Sequence, residues 1–382
     1  MIQYRYMSAS PLKVILLVAF ATFVVCIVVK NYIWGFSNLE NSKIVHYLPS
    51  PAASLPPPQF IGWMSYWDEK HGYERLRTTI DYFSVIAPML YFVNPDGRLA
   101  AYTISTGNQA VILAREHNVP VMSTIGDDGD AAGLQILLYN QEAQNDFIKQ
   151  LIGTAMSQRF AGWAYDFELL TPKDEDAFSS FVENSVTRLH DAGLTLDVIV
   201  FARTRTDGYP PSLAHDYERI GRVADRVILM TYGYNNELTE AGGQTPPDWL
   251  REVLQYAIRY IPKEKLVVGL STHGYLWNEQ VTGLTYPQVK ALVDQENLVP
   301  VYDDESGAMR AKFVDDNTEN TLYFESAATI YRKVQLVQRE FDMHTFALWR
   351  TGAEDSEFWQ LIEPSPSLFM RASPEPSGQL SE

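Results

Sequence analysis

The sequence predicts an α/β chain: a (β/α)8 TIM barrel with a small α+β insertion between strands 7 and 8, preceded by one N-terminal transmembrane helix. Three observations predict it. Short β-rich runs alternate with amphipathic helical stretches, the pattern of parallel strands joined by helical crossovers. Eight such runs can be marked, the number a closed barrel needs. Ahead of them, Val14 to Val29 contain no charged side chain.

As a helix that apolar run is about 24 Å long at 1.5 Å per residue, somewhat short of the roughly 30 Å hydrocarbon core. Leu12 on one side and Tyr32, Ile33, Trp34 and Phe36 on the other extend it, and such aromatics suit a membrane–water interface. Residues 14–36 are read as an uncleaved signal-anchor rather than a cleaved signal peptide. No small-x-small site follows; the next residues are Lys30-Asn31-Tyr32-Ile33-Trp34. Residues 1–13 hold Arg5 and Lys13 and no acid, so they are expected in the cytoplasm and the bulk of the chain outside it, periplasmic or extracellular. The single cysteine, Cys26, lies within the apolar run. The globular part therefore has no thiol chemistry, disulfide or cysteine metal site.

Residues 37–58 read as a linker ending in Pro49-Ser50-Pro51 and Pro56-Pro57-Pro58, an extended spacer. The barrel occupies 59–363. Its expected strands are Phe60–Tyr66, Phe83–Val93, Val119–Ile125, Ala161–Glu168, Thr195–Ala202, Arg226–Tyr232, Leu266–Thr272 and Thr345–Trp349. Two helices stand out. Gln141–Gln158 carries Phe147, Ile148, Leu151, Ile152 and Ala155 on one stripe, and Asp248–Tyr260 carries Trp249, Leu250, Val253, Leu254, Ala257 and Ile258. The interval of about 278–323 is too long for a loop. A helix at Tyr286–Glu296 and β-rich pieces at Val299–Tyr302, Met309–Val314 and Thr321–Phe324 make it an α+β insertion walling a cleft. Residues 364–382, rich in Pro, Ser and Glu, read as a disordered tail.

The informative stretch is Ala161-Gly162-Trp163-Ala164-Tyr165-Asp166-Phe167-Glu168. Side chains alternate along a strand, so Trp163, Tyr165 and Phe167 share one face and Gly162, Ala164, Asp166 and Glu168 the other. In a barrel the large apolar face packs on the helices. The inner face then ends in two acids at the strand's C-terminal end, the rim where barrel active sites lie. Two carboxylates at i and i+2 repel, and with partial burial this raises at least one pKa, making a proton donor. The alternative is an inward ion pair, for example with Arg203.

This run resembles the end of the strand-4 motif D-x-x-D-x-D-x-E of glycoside hydrolase family 18, with Asp166 and Glu168 in its last two acidic positions. Met230-Thr231-Tyr232 resembles the strand-6 motif M-x-Y. His215-Asp216-Tyr217-Glu218-Arg219-Ile220-Gly221, Val268 to Trp277, Tyr323-Phe324-Glu325 and Ala347 to Asp355 resemble, in the expected order, segments of the bacterial cell-wall and spore-cortex branch. The resemblance spans residues 60–362. It implies a substrate-assisted, retaining hydrolysis of β-linked N-acetylglucosamine-containing polysaccharide. Glu168 would protonate the glycosidic oxygen, Asp166 orient the 2-acetamido group, and Tyr232 hydrogen-bond its carbonyl. Trp349 would floor the distorted sugar, beside Met230 of the second motif. The chain departs from the pattern at Ala161 and Ala164, where the first two acids are replaced, and at Gly233, where chitinases carry an acid.

Aromatics expected at or beyond strand ends, among them Trp63, Tyr66, Trp67, Tyr234, Tyr275 and Trp277, form a sugar-stacking set, of which Trp63, Tyr234 and Tyr275 are assigned to substrate. The histidines show no metal-ligand spacing, and no cofactor motif is found. Asp127, Asp128 and Asp130 lack the spacing of a calcium loop and read as a solvated loop. A net charge of −17 disfavours nucleic acid. A different class of function stays open: a catalytically weakened, lectin-like barrel that binds such glycans at the cell surface.

Overall fold

The computed structural model describes residues 55–362 apart from 104–106, 207 and 316. The expected signal-anchor, nearly all of the linker, and the tail lie outside the described residues. Among those described, no helix is long and apolar enough to cross a membrane.

In chain order the elements are β1 (Gln59–Met64), α1 (Glu69–Thr79), β2 (Phe83–Val93), β3 (Leu99–Ala101), α2 (Gly107–Glu116), β4 (Met122–Gly126), α3 (Ala131–Tyr139), α4 (Gln141–Gln158), β5 (Gly162–Tyr165) and α5 (Glu175–Asp191). There follow β6 (Thr195–Phe201), α6 (Tyr217–Val223), β7 (Arg226–Met230), α7 (Pro247–Ala257) and β8 (Leu266–Ser271). The last group is β9 (Gly274–Trp277), β10 (Val281–Leu284), α8 (Tyr286–Gln295), β11 (Val301–Asp303), β12 (Ala308–Asp315), β13 (Thr318–Phe324), α9 (Ala327–Phe341) and β14 (Thr345–Trp349).

Strands β1, β2, β4, β5, β6, β7, β8 and β14 pair in parallel, and β1 meets both β2 and β14, so the sheet closes into an eight-stranded barrel. β3 is a short antiparallel addition to β2. Closure divides the apolar side chains into two cores. One lies between strands and helices; the other fills the barrel with Ile61, Trp63, Val85, Ala87, Met122, Ala164, Ile199, Ile228, Met230, Val267 and Ala347. Small residues set the spacing at two points where strands approach closely. A Cβ on Gly162 would lie 2.1 Å from the Thr195 carbonyl oxygen of the neighbouring strand, and one on Gly269 2.5 Å from that of Leu229.

The helix of Gln141–Gln158 has the predicted bounds for capping reasons. Asn140 accepts from the amides of Glu142 and Ala143 at 2.9 and 3.1 Å, and Arg159 ends the helix in the left-handed region at φ 52°. The strand expected over Ala161–Glu168 is shorter, since its ladder ends at Tyr165. The insertion is larger than the expected 278–323. It starts at Gly274 and forms a five-stranded antiparallel sheet in the order β10-β9-β13-β12-β11. The hairpin β9–β10 escapes prediction because its pairing is set by β13, about forty-five residues on, with Leu276 opposite Leu322 and Tyr275 opposite Tyr323. Val289, Ala311, Leu322 and Phe324 give the insertion a core of its own.

Candidate active site

The site begins with the alternation along β5. Trp163, Tyr165 and Phe167 point outward into the helix-side core, where all three are buried. The Trp163 indole donates to the Leu151 carbonyl at 3.2 Å, and the Tyr165 hydroxyl to Ser185 Oγ at 3.1 Å. With those residues fixed outward, Ala164 joins the apolar barrel interior, with Ala161 packed against it. Asp166 follows on the inner side at the C-terminal end of the barrel, its amide donating to the Ile125 carbonyl at 3.0 Å.

Past Asp166 the backbone leaves the ladder because other groups take its hydrogen bonds. Asp127, in the loop after β4, accepts from the amides of Glu168 and Leu169 through a single oxygen, Oδ2, at 2.7 and 2.8 Å. The carbonyl of Phe167, between the two acids, faces Nε2 of the fully buried His215 at 3.3 Å. His215 Nδ1 accepts from the Phe201 amide at 3.2 Å, so Nε2 carries the proton and donates. Burial, as the main cause, lowers the His215 pKa to about 4 and keeps the ring neutral. The acidic pair is thus fixed from both sides of its strand.

The reading of Asp127 as part of a solvated loop leaves out that it holds two backbone donors of the acidic segment. A contact of this kind, across 41 positions, leaves no local sequence signal. His215 lies in a quoted motif, yet its partner Phe167 is 48 positions away. The proposed ion pair with Arg203 is absent as well. Arg203 donates instead to the carbonyls of His215 and Thr206, at 3.4 and 2.9 Å. An inward ion pair is made instead by Arg226 with Asp197, at 2.7 Å, and Asp197 stands opposite Ala164 in the ladder.

Tyr232 follows β7. Its ring passes close over Gly269, where a Cβ would lie 3.2 Å from it. Burial and then the charges of Asp166 and Glu168 raise its hydroxyl well above the ordinary range, so it is a neutral donor facing both acids. Burial raises the Asp166 pKa, followed by the charges of Glu168 and Asp127; its Oδ1 has no hydrogen-bond partner. Glu168 reaches solvent at the rim, but surrounding protein and then the Asp127 charge push its pKa up to about 7. An acid that still holds its proton near neutral pH can donate it.

The aromatics divide. Trp63 is buried, its indole donating to Thr124 Oγ1 at 3.2 Å, and its ring meets Trp349 edge-on at 5.7 Å. Trp349 also meets the exposed Trp67 at 5.9 Å, and its carbonyl accepts from the Thr272 amide at 3.0 Å. Met230 is buried in the barrel interior, against which Tyr232 and Trp349 pack. Tyr275, on β9 of the insertion, contacts His273 and Trp277 at 5.4 and 5.5 Å and lies near enough to Tyr232 to raise its pKa. Tyr234 stands apart: it is exposed, and its ring packs on Trp249 of α7 at 5.3 Å. Asp166, Glu168, Tyr232, Trp63, Met230, Trp349 and Tyr275 therefore share one end of the barrel, while the Tyr234 ring is engaged with Trp249. Among the described residues, no cluster of three or more His, Cys, Asp or Glu could hold a metal ion.

The family model for glycosyl hydrolases family 18 matches residues 62–354. The chain is 27% identical over 241 residues to the uncharacterized glycosylase YvbX of Bacillus subtilis, covering 62% of this chain and 69% of that protein. It is 28% identical over 239 residues to the cortical fragment-lytic enzyme of the same organism, covering 60% of this chain but only 55% of that relative's length. Two solved structures are similar in fold. The spore cortex-lytic enzyme SleL of Bacillus cereus has a TM-score of 0.75 at 23% identity, covering 82% of this chain and 75% of that one. A chitinase of Chromobacterium violaceum has a TM-score of 0.73 at 23% identity, covering 79% and 97%.

Proposed function

The chain belongs to glycosyl hydrolase family 18, and from that premise we propose that it hydrolyses a β-linked N-acetylglucosamine-containing glycan by a substrate-assisted, retaining route. The observation that carries this reading is the convergence of Glu168, Asp166 and Tyr232 beside Trp349. In the proposed reaction the Glu168 carboxyl gives its proton to the glycosidic oxygen. The bond from that oxygen to the anomeric carbon breaks as the substrate's own acetamido oxygen attacks the carbon. Asp166 stabilises the cyclic cation that forms, and Tyr232 donates to the acetamido oxygen. A water then opens the ring, returning a proton to Glu168 and leaving the anomeric configuration retained.

Relatives named as cortex-lytic enzymes and chitinases favour peptidoglycan or a chitin-like polymer as the substrate class. The test is mass-spectrometric analysis of N-acetylglucosamine oligomers and purified peptidoglycan after incubation with the chain and its Glu168→Gln variant. Cleavage by the wild type, reduced about 10²–10⁴-fold in the variant, supports the assignment. Equal cleavage by both would remove Glu168 from its role. A specific observation favours a second reading as well: Asp166 Oδ1 has no hydrogen-bond partner, and Ala161 and Ala164 replace the acids of the family motif, which suits a weakened barrel that binds glycan. Binding without cleavage by either protein would select it.

A further inference from the structure

We propose that Asp127 is a positioning residue of this site, tethering the segment that carries Glu168 and supplying the negative charge that Ala161 and Ala164 do not. The proposal rests on the hydrolase reading for its consequence in catalysis, though not for its effect on Glu168 itself.

The tether is two charge-assisted hydrogen bonds on one oxygen, from the amides of Glu168 at 2.7 Å and Leu169 at 2.8 Å. They stand in for the ladder partners that the segment lacks past Asp166, so they fix where the Glu168 backbone stands. Asp127 is itself held by a tight turn. Asp128 and Gly129 adopt left-handed backbone at φ 51° and 74°, and the Asp130 amide closes the turn on the Asp127 carbonyl at 3.1 Å. Asp130 then caps α3, accepting from the Ala132 amide at 2.8 Å. The carboxylate is anchored between β4 and a helix start rather than waving in solvent.

Its charge acts on the same residue. The titratable groups facing Glu168 are Asp127 from the β4 loop, Asp166 on its own segment and Tyr232 from the end of β7. His215, under the Phe167 carbonyl, is neutral. The charges acting on Asp166 and Glu168 are all negative. A fixed negative charge favours the protonated form of a neighbouring acid. Family 18 places its extra acids on the strand itself; here positions 161 and 164 are alanine, and the charge arrives from the adjacent strand's loop.

The test uses the full chain with Asp127→Asn, Asp127→Ala and Asp127→Glu. Asparagine keeps an oxygen for both amides and removes the charge, alanine removes both, and glutamate restores the charge. Carbon-13 NMR of labelled glutamate carboxyls, with Glu168→Gln for assignment, reads the Glu168 titration directly. The pH dependence of kcat/KM on N-acetylglucosamine oligomers reads its consequence. In Asp127→Asn the Glu168 titration should move down from about 7, and the alkaline limb of kcat/KM should move with it. A downward move of about one pH unit lowers activity on that limb about tenfold. Asp127→Glu should restore the titration, and Asp127→Ala should lose more kcat than Asp127→Asn. A wild-type Glu168 titration in folded Asp127→Asn and Asp127→Ala would overturn the proposal. If the titration shifts but wild type cleaves no glycan, the inference about Asp127 stands and the hydrolase reading fails.

Discussion

At the residue scale, Glu168 keeps its proton near neutral pH at the expense of stability. Its folded pKa of about 7 lies above that of a free glutamate. Between those values the folded chain holds a proton that the unfolded chain has released, so stability falls as pH rises through the window. Glu168→Gln removes the charge that surrounding protein and Asp127 disfavour. Denaturation midpoints should therefore match wild type near pH 4 and exceed it at pH 8; equal midpoints at pH 8 would show that the carboxylate is unstrained. The same protonation sets activity: kcat/KM should decline as pH rises through about 7, because the deprotonated acid cannot donate. The pairing of Asp166 with Glu168 was legible in the sequence because strand alternation has a period of two and needs no tertiary information. The roles of Asp127 and His215 were not, because their partners lie tens of positions away.

At the element scale, β5 carries the site, and its distance from β6 is set by Gly162. A Cβ there would lie 2.1 Å from the Thr195 carbonyl oxygen, and backbone cannot yield as a flexible side chain can. Gly162→Ala should destabilise the fold by about 1–3 kcal/mol through strain alone, measured by urea denaturation, and should lower kcat more than KM rises because the strand end moves. An unchanged midpoint would mean the ladder relaxes freely. Helices α4 and α7 were legible through their apolar stripes. The β9–β10 hairpin was not, since a short run with Tyr275 and Trp277 reads equally well as a continuation of β8.

At the scale of the whole molecule, a buried ion pair ties the insertion to the barrel. Lys333 of α9 meets Glu325 at 2.7 Å and donates to the Gly307 carbonyl beside β12, also at 2.7 Å. Both side chains are almost completely buried. Lys333→Met should cost about 3–5 kcal/mol by stranding the carboxylate, with much of the loss recovered in the double variant Lys333→Met/Glu325→Leu. Equal stability of the single and double variants would argue against stranding. The uncharged run Val14–Val29 motivates a second prediction at this scale: that the chain is anchored in a membrane with its barrel outside the cytoplasm. It should sediment with membranes and resist alkaline carbonate extraction. Recovery in the soluble fraction would dismiss the anchor.

By itself the sequence determined the barrel class, the eight-strand order and the acidic rim, because periodicity and motif order are written locally along the chain. Only the tertiary structure decided what surrounds the acids. It put Asp127 on the Glu168 amide, turned Arg203 away, paired Arg226 with Asp197 and packed Tyr234 on Trp249. The physical reason is that charge and hydrogen bonding act across space between strands remote in sequence, and closure of the barrel sets those distances.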